Sequence, residues 1–377
     1  MIAAAHSCRT RGAARQRGVT LVELMVGMLI GMLAILVISQ VLLVSEGQKR
    51  TTTGGSDAQI NGALSLYAIQ RDVQAAGYGF TSSPAIVGCP INALFNGAAP
   101  TGFAGRLAPV FITPEAARPP GSVGDSIRVL ASSKASYSVP ARVIPPGYVP
   151  PPSALALAVP VTSVLGFVQG DLALVAADAV QPCWVMRVTA APATPFVPRA
   201  DVPNGWNSAG TPNLAYGDGS VMINLGTLVD NRYEVNNGVL QLSSFDVGNP
   251  NTRITRDIQS DIVRLQAYYG HDTDGDGDVD IYDTTTPTNN AGWLRVLSVR
   301  LIVVARSGQY EKEVVTPTNP TWDVGAAPAT VGAAACAAGQ CLTIDVGAGV
   351  AGDVEAKHYR YKIFETIVPL RNMLWSS

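Results

Sequence analysis

The sequence predicts an α+β protein: a long N-terminal helix packed on an antiparallel β-sheet domain with large loop insertions. Three observations predict it. Val19 to Val44 is an apolar run of 26 residues with one charge, Glu23. Beyond it, Ile60, Leu64, Tyr67 and Val73 recur near helical spacing, with Gln59, Gln70, Arg71 and Gln74 between them. After residue 225 the pattern changes to alternating or continuous β runs, the longest ending Leu301-Ile302-Val303-Val304-Ala305.

As a helix rising about 1.5 Å per residue, the apolar run spans about 39 Å, enough to cross a hydrocarbon core of about 30 Å. Arg9, Arg11, Arg15 and Arg17 precede it with no acid among them, marking the side that stays in the cytoplasm. A secretory signal would have a shorter apolar region and a small-residue cleavage site after it. Here the processing-like feature, Arg17-Gly18, comes first.

Glu23 needs a reason. An ionised group inside a membrane helix costs roughly 3 kcal/mol on insertion scales and marks function. A cut after Gly18 would free a cationic amine on Val19, about 6 Å along the helix from Glu23. Amine and carboxylate of neighbouring subunits can then neutralise each other in a low-dielectric bundle.

The basic leader, Gly18, Val19-Thr20-Leu21-Val22-Glu23 and the apolar helix resemble the class III signal of type IV pilins and pseudopilins. The resemblance implies a peptidase that cuts after Gly18 and methylates the new N-terminus. It also implies that Glu23 docks subunits into a filament. Val19 departs from the phenylalanine more usual there. The expected divisions are a cleaved leader 1–18, a transmembrane helix 19–45, an amphipathic helix 46–77 and an extracytoplasmic β-rich head 78–377. Thr51-Thr52-Thr53-Gly54-Gly55 is expected to interrupt the helix, since glycine and β-branched residues disfavour it, with Ser56 or Asp57 capping the second stretch. Gly77-Tyr78-Gly79 should end that stretch.

Without residues 1–18, 22 of the 26 Lys and Arg remain against 28 Asp and Glu, a net charge of −6. Nucleic-acid binding would need clustered positive charge. Four cysteines remain, Cys89, Cys183, Cys336 and Cys341, an even count that suggests disulfides outside the cytoplasm. Of three possible pairings, the short gap favours Cys336–Cys341 and hence Cys89–Cys183. That gap, with no histidine nearby, argues against zinc.

Within the head, strands are expected at Ser126–Leu130, Asp171–Ala176, Cys183–Thr189, Val221–Leu225, Arg232–Val235, Gly238–Leu242, Asp261–Tyr269, Trp293–Arg306 and Tyr359–Val368. Pro145 to Pro152 reads as an extended spacer loop. Four stretches narrow the resemblance to the PilW family of minor pilins. They are Gln70-Arg71-Asp72-Val73-Gln74-Ala75-Ala76-Gly77-Tyr78; Gly170-Asp171-Leu172-Ala173-Leu174-Val175 before a cysteine strand; Tyr268-Tyr269-Gly270 with an Asp-rich loop; and Leu370-Arg371-Asn372 closing the last strand. The resemblance implies a structural subunit that primes type IV pilus assembly and lies at or near the tip. Its partners would be other minor pilins, the major pilin, the inner-membrane platform and the prepilin peptidase. It would sit in the inner membrane with its head in the periplasm, and in the surface pilus after assembly. A type II secretion pseudopilin and a tip adhesin are the alternative readings.

Asp272-Thr-Asp274-Gly-Asp276-Gly277-Asp278-Val-Asp280-Ile-Tyr-Asp283 has carboxylates at positions 1, 3, 5, 9 and 12 and glycine at 6. This is the EF-hand ligand pattern with aspartate for glutamate at position 12. Asp278, at position 7, would offer its backbone carbonyl. Oxygen-only ligands and spare length suit a structural Ca²⁺ better than Mg²⁺. The flanks read as strand and loop, not two helices.

No catalytic set is evident, and no nucleophile-elbow, phosphate-loop or zinc-protease pattern occurs. His6 lies in the leader, His271 reads as a charge neighbour of the acidic loop, and His358 as an exposed start to the last strand. Glu365 is expected to face solvent or an interface. Trp184, Trp206, Trp293 and Trp322 read as packing residues.

Overall fold

The computed structural model describes residues 18–102, 105–119, 122–134, 139–201, 205–207, 212–337, 339–347 and 353–374. Residues 1–17 of the leader, with His6, Cys8 and the four arginines, lie outside the described residues. The chain divides into two compact units between Thr53 and Gly54.

The first unit is helical. Thr20 starts it: its hydroxyl accepts the Glu23 amide at 3.3 Å and its carbonyl accepts the Leu24 amide at 3.1 Å. Thr20 and Glu23 therefore have capping-box spacing, so the threonine satisfies donors that a helix start leaves open. Every large apolar side chain from Val19 to Val44 is more than half exposed.

The helix spans Leu21–Ala75 without the expected interruption at Thr51–Gly55. Ser56 and Asp57 are interior positions, not caps. In the first unit the Thr52 hydroxyl donates to the Gln48 carbonyl at 2.9 Å, so it joins the helical pattern. In the second unit the glycines are sites of close approach. A side chain at Gly54 would sit 3.3 Å from Ser307 Cβ, and one at Gly62 would overlap the Phe364 ring.

The amphipathic face also differs from expectation. The helix buries Gly54, Ala58, Gly62, Ser65, Ile69 and Val73, spaced three or four apart, and Ala76 just beyond it is buried at the next step. Of the predicted stripe only Val73 is buried; Ile60, Leu64 and Tyr67 are 54%, 52% and 63% exposed. Small residues win the inward face because they let the sheets approach the helix backbone. The helix ends where predicted: Gly77 and Gly79 adopt φ of 79° and 93°, a left-handed stop open to glycine.

Three five-stranded sheets build the head. The C-terminal sheet orders Ala329–Thr330, Ile281–Asp283, Ile262–His271, Val296–Arg306 and Tyr361–Pro369. Val296–Arg306 is paired along both edges, which explains its long apolar run. The middle sheet orders Arg253–Ser260, Val239–Phe245, Val229–Asn236, Val123–Ala131 and Val110–Thr113. The insertion sheet orders Ile91–Asn92, Cys183–Arg187, Leu172–Ala176, Val221–Gly226 and Ala141–Arg142. Most pairings are antiparallel; Ile91–Asn92 with Cys183–Arg187 and Ile281–Asp283 with Ala329–Thr330 are parallel.

Several boundaries move. Gly238 belongs to a turn: Asn237 and Gly238 have φ of 50° and 75°, the two-residue link suited to strand twist. Trp293 sits in a short helix, Asn290–Leu294, capped by the Asn289 side chain. The region after residue 307 forms its own three-stranded sheet, Thr321–Gly325, Gly339–Thr343 and Ala334–Cys336.

Ile69 and Val73 from the helix share a core with Ile127, Tyr233, Leu265 and Leu301 from the middle and C-terminal sheets. Phe80, Leu130, Leu174 and Trp206 join the middle sheet to the insertion sheet. Val304, Trp322 and Leu342 seat the small sheet on the other face of the C-terminal sheet. All four singled-out tryptophans are buried.

Candidate functional site

Gly18, Val19 and Glu23 are exposed at the start of the helix. Glu23 lies in the first turn and is the acid there. A carboxylate at that position complements the helix dipole and faces open amides. The helix from Leu21 is long and apolar enough to cross a membrane, and its apolar window is exposed.

The aspartate loop joins strands Ile262–His271 and Ile281–Asp283; the leading strand is as expected, and the trailing flank is a strand where a loop was expected. Asp272 is the buried anchor. Its two oxygens accept the amides of Gly275 and Gly277, the latter at 3.1 Å. Gly277 has φ of 91°, the left-handed turn expected at position 6. Asp274 and Asp276 each accept an amide two residues on, at 3.2 and 2.9 Å, forming successive turns. Carboxylate oxygens of Asp272, Asp274 and Asp276 lie within 4.8 Å of one another, a spacing that suits a hard cation.

The other three aspartates are outside that group. Asp280 accepts the Thr273 amide at 2.6 Å and its hydroxyl at 2.7 Å, contacts that hold its carboxyl below the ordinary range. Asp283 points to His271 Nε2 at 3.2 Å and accepts the Thr285 amide at 2.8 Å. Asp278 is exposed. The structure thus brings together positions 1, 3 and 5 and places 9 and 12 on protein donors. It also adds a cation that the loop sequence lacks. Arg295 donates to the Thr273 carbonyl at 2.6 Å, beneath the acidic turn. Its position, 12 residues past Asp283, gives no local signal.

Cys89 pairs with Cys183, and Cys336 with Cys341; each pair has a Cα separation of 5.8 Å. The first ties the start of the insertion sheet to its second strand. The second closes a hairpin. Asp323 stands beside the second pair, but sulfurs joined to each other have no thiolate to offer a metal.

Two arrangements were not legible in the sequence. Arg300 is buried, donates twice to Glu365 Oε1 at 2.9 and 2.7 Å, and lies 4.6 Å over the Trp322 ring and 5.2 Å over Tyr282. Trp322 Nε1 donates to the other Glu365 oxygen at 2.6 Å. Glu365 is exposed, as expected, and it also anchors Arg300 and, through Trp322, the small sheet. His358 is half-buried, stacked on Tyr310 with centroids 4.7 Å apart, and precedes the last strand rather than starting it. The second arrangement closes the domain. Leu370 is buried, and Asn372 reaches the end of the long helix, so two of the stretches that resembled PilW meet in space.

Residues 13–39 match the prokaryotic N-terminal methylation motif, and residues 228–372 match the type IV pilus-assembly protein W (PilW) family. Over these two stretches the chain is similar to PilW-like type IV pilins. The two matches point to a structural protein with a motif for processing at its N-terminus, and the apolar helix behind that motif is long enough to cross a membrane. The PilW match runs from Leu228 to Asn372, taking in three strands of the middle sheet, the whole C-terminal sheet and the aspartate loop. The insertion sheet falls in the stretch between the two matches. No curated protein and no solved structure matches the chain.

Proposed function

We propose that this pilin is a minor pilin of the type IV pilus, cut after Gly18 and methylated on Val19, that initiates assembly and lies at or near the tip. The observation that carries the reading is the uncovered apolar helix with Glu23 as its single charge. Such a surface is unstable in water and stable in a membrane or a bundle of like helices. Ile60, Leu64 and Tyr67 add apolar surface on the helix side turned away from the head, where a neighbouring subunit can pack. Before assembly the protein resides in the inner membrane with its head in the periplasm. Its partners are other minor pilins, the major pilin, the platform and the prepilin peptidase. The test is Glu23→Ala: processing persists while piliation falls. Normal piliation in that strain removes the docking role. Gly18→Ala should leave a longer, basic-tailed form in the membrane.

The aspartate loop is read as a structural Ca²⁺ site in which Asp272, Asp274 and Asp276 supply the first oxygens. Asp280 and Asp283 would have to leave their present donors to complete it, with the Asp278 carbonyl. Titrating the mature pilin with Ca²⁺ should release heat and raise its melting temperature; Asp272→Asn should abolish both. A flat titration removes the site.

A tip adhesin is the second reading, supported by the charge-poor insertion outside the PilW match. It exposes Leu165, Val168, Val180 and Phe196. Cell binding unchanged after polar replacement of these four would remove this reading.

A further inference from the structure

Lys134, Asp171 and Asn224 form a cluster that neither the pilin fold nor the assembly surface uses. The Lys134 ammonium lies 2.8 Å from Asp171 Oδ2. The Asn224 amide nitrogen donates to the same oxygen, also at 2.8 Å. One carboxylate oxygen therefore holds an amine and a carboxamide side by side. Asn224 is 2% exposed, and the side chains of Asp171 and Lys134 are 12% and 24% exposed.

Local structure fixes this geometry. Ser132 donates its hydroxyl to the Asn224 carbonyl at 2.9 Å, and the Ser133 amide donates to the Leu225 carbonyl at 3.1 Å. The segment after strand Val123–Ala131 is thereby laid along the end of strand Val221–Gly226. The lysine stem then crosses Gly226, where a side chain would sit 3.3 Å from Lys134 Cγ; φ of 63° there also favours glycine. The Asn224 side chain is equally constrained. Its Oδ1 accepts the Gly226 amide at 2.7 Å, and its nitrogen donates to the Gly166 carbonyl. The Val168 amide holds Asp171 Oδ2 from the other side at 3.0 Å.

We propose that Lys134 and Asn224 join in an intramolecular isopeptide bond, with Asp171 as the proton relay. The ammonium gives a proton to Asp171, leaving a neutral amine. The amine lone pair attacks Asn224 Cγ, and the charge that gathers on Oδ1 is met by the Gly226 N–H. Asp171 returns the proton to Asn224 Nδ2 as the Cγ–Nδ2 bond breaks, and it accepts the remaining proton from the new amide nitrogen. Ammonia leaves and takes that proton as ammonium. One N–C bond forms, one breaks, no electrons are exchanged and no co-reactant is needed. A single turnover suffices, because the groups are held together by the fold.

The bond would tie the middle sheet to the insertion sheet. It would also close the chain between residues 134 and 224, so pulling on the ends of the head could not extend the insertion. A subunit of a retractile or tension-bearing fibre gains mechanical resistance from such a closure, independently of where it sits in the fibre.

The experiment is peptide mapping by mass spectrometry of the purified full-length mature pilin. The expected result is a branched peptide joining Lys134 to Asn224, lighter than its two parts by one ammonia. Lys134→Arg keeps the ion pair with Asp171 and should fold but give only linear peptides. Asp171→Asn should do the same wherever it folds. Linear, unmodified Lys134 and Asn224 peptides from the wild-type pilin overturn the proposal. Loss of ammonia at Asn224 with Lys134 free, the signature of a cyclic imide, overturns it too.

Discussion

The Asn372 side chain donates to the Ala76 carbonyl at 2.9 Å, although 296 residues separate them. It also reaches the Ala75 carbonyl at 3.4 Å, while the Asn372 carbonyl accepts the Thr81 hydroxyl at 2.9 Å. The short helix Arg371–Leu374 that follows the last strand thereby supplies donors to the open carbonyls at the end of the long helix. Asn372→Ala removes them and should cost about 1–2 kcal/mol. Chemical denaturation of the mature pilin measures this. A midpoint equal to wild type would show that water replaces the side chain at no cost.

Gly62 tests the inward face of the helix. Alanine is favoured over glycine in a helix by about 1 kcal/mol. Here its Cβ would overlap the Phe364 ring, and overpacking costs about 1–3 kcal/mol. Gly62→Ala should therefore destabilise the head, and Gly62→Ala with Phe364→Leu should recover most of the loss. Stabilisation by the single change would mean that the ring simply swings aside.

Asp230 is fully buried between Arg128 and Arg253. Burial alone would raise its pKa, but hydrogen bonds and charge from Arg128 and then Arg253 overturn that and lower it. A lowered carboxylate contributes stability above its unfolded pKa and loses it as pH falls through the folded value. The pilin should thus lose stability on the acid side, and Asp230→Asn, which removes the buried negative charge that Arg128 and Arg253 share, should cost about 3–5 kcal/mol at neutral pH. Asp125 has the opposite sign. Its burial outweighs the amides of Ala267 and Glu115 and raises its pKa, so its penalty grows as pH rises through the folded value. A melting-temperature profile against pH for wild type and Asp230→Asn checks both. An unchanged acid limb in the variant would remove Asp230 as its source.

Arg300→Lys should loosen the small sheet. Lysine keeps the charge but cannot reproduce the two contacts that converge on Glu365 Oε1 while its cation lies over the Trp322 ring. The expected cost is about 2–4 kcal/mol, seen as faster proteolysis within residues 307–347 than elsewhere. Uniform digestion of the whole head would argue that Arg300 stabilises the domain globally instead.

Features written in local chemistry could be read from the residues alone. The apolar run after the basic leader, the single Glu23, the glycine stop at Gly77 and the long strand through Val303 follow from period, charge and turn residues. The Asp-rich turn after Gly270 was legible for the same reason. Contacts between distant segments could be read only from the folded chain. The helix buries Ala58 and Gly62 instead of Ile60 and Leu64 because two sheets need to come close, and hydrophobicity says nothing about the room available. The same holds for Arg295 under the acidic turn, Glu365 on Arg300 and Asp171 between Lys134 and Asn224. Each pair is set by which strands lie side by side, a choice made by the whole chain and by no window within it.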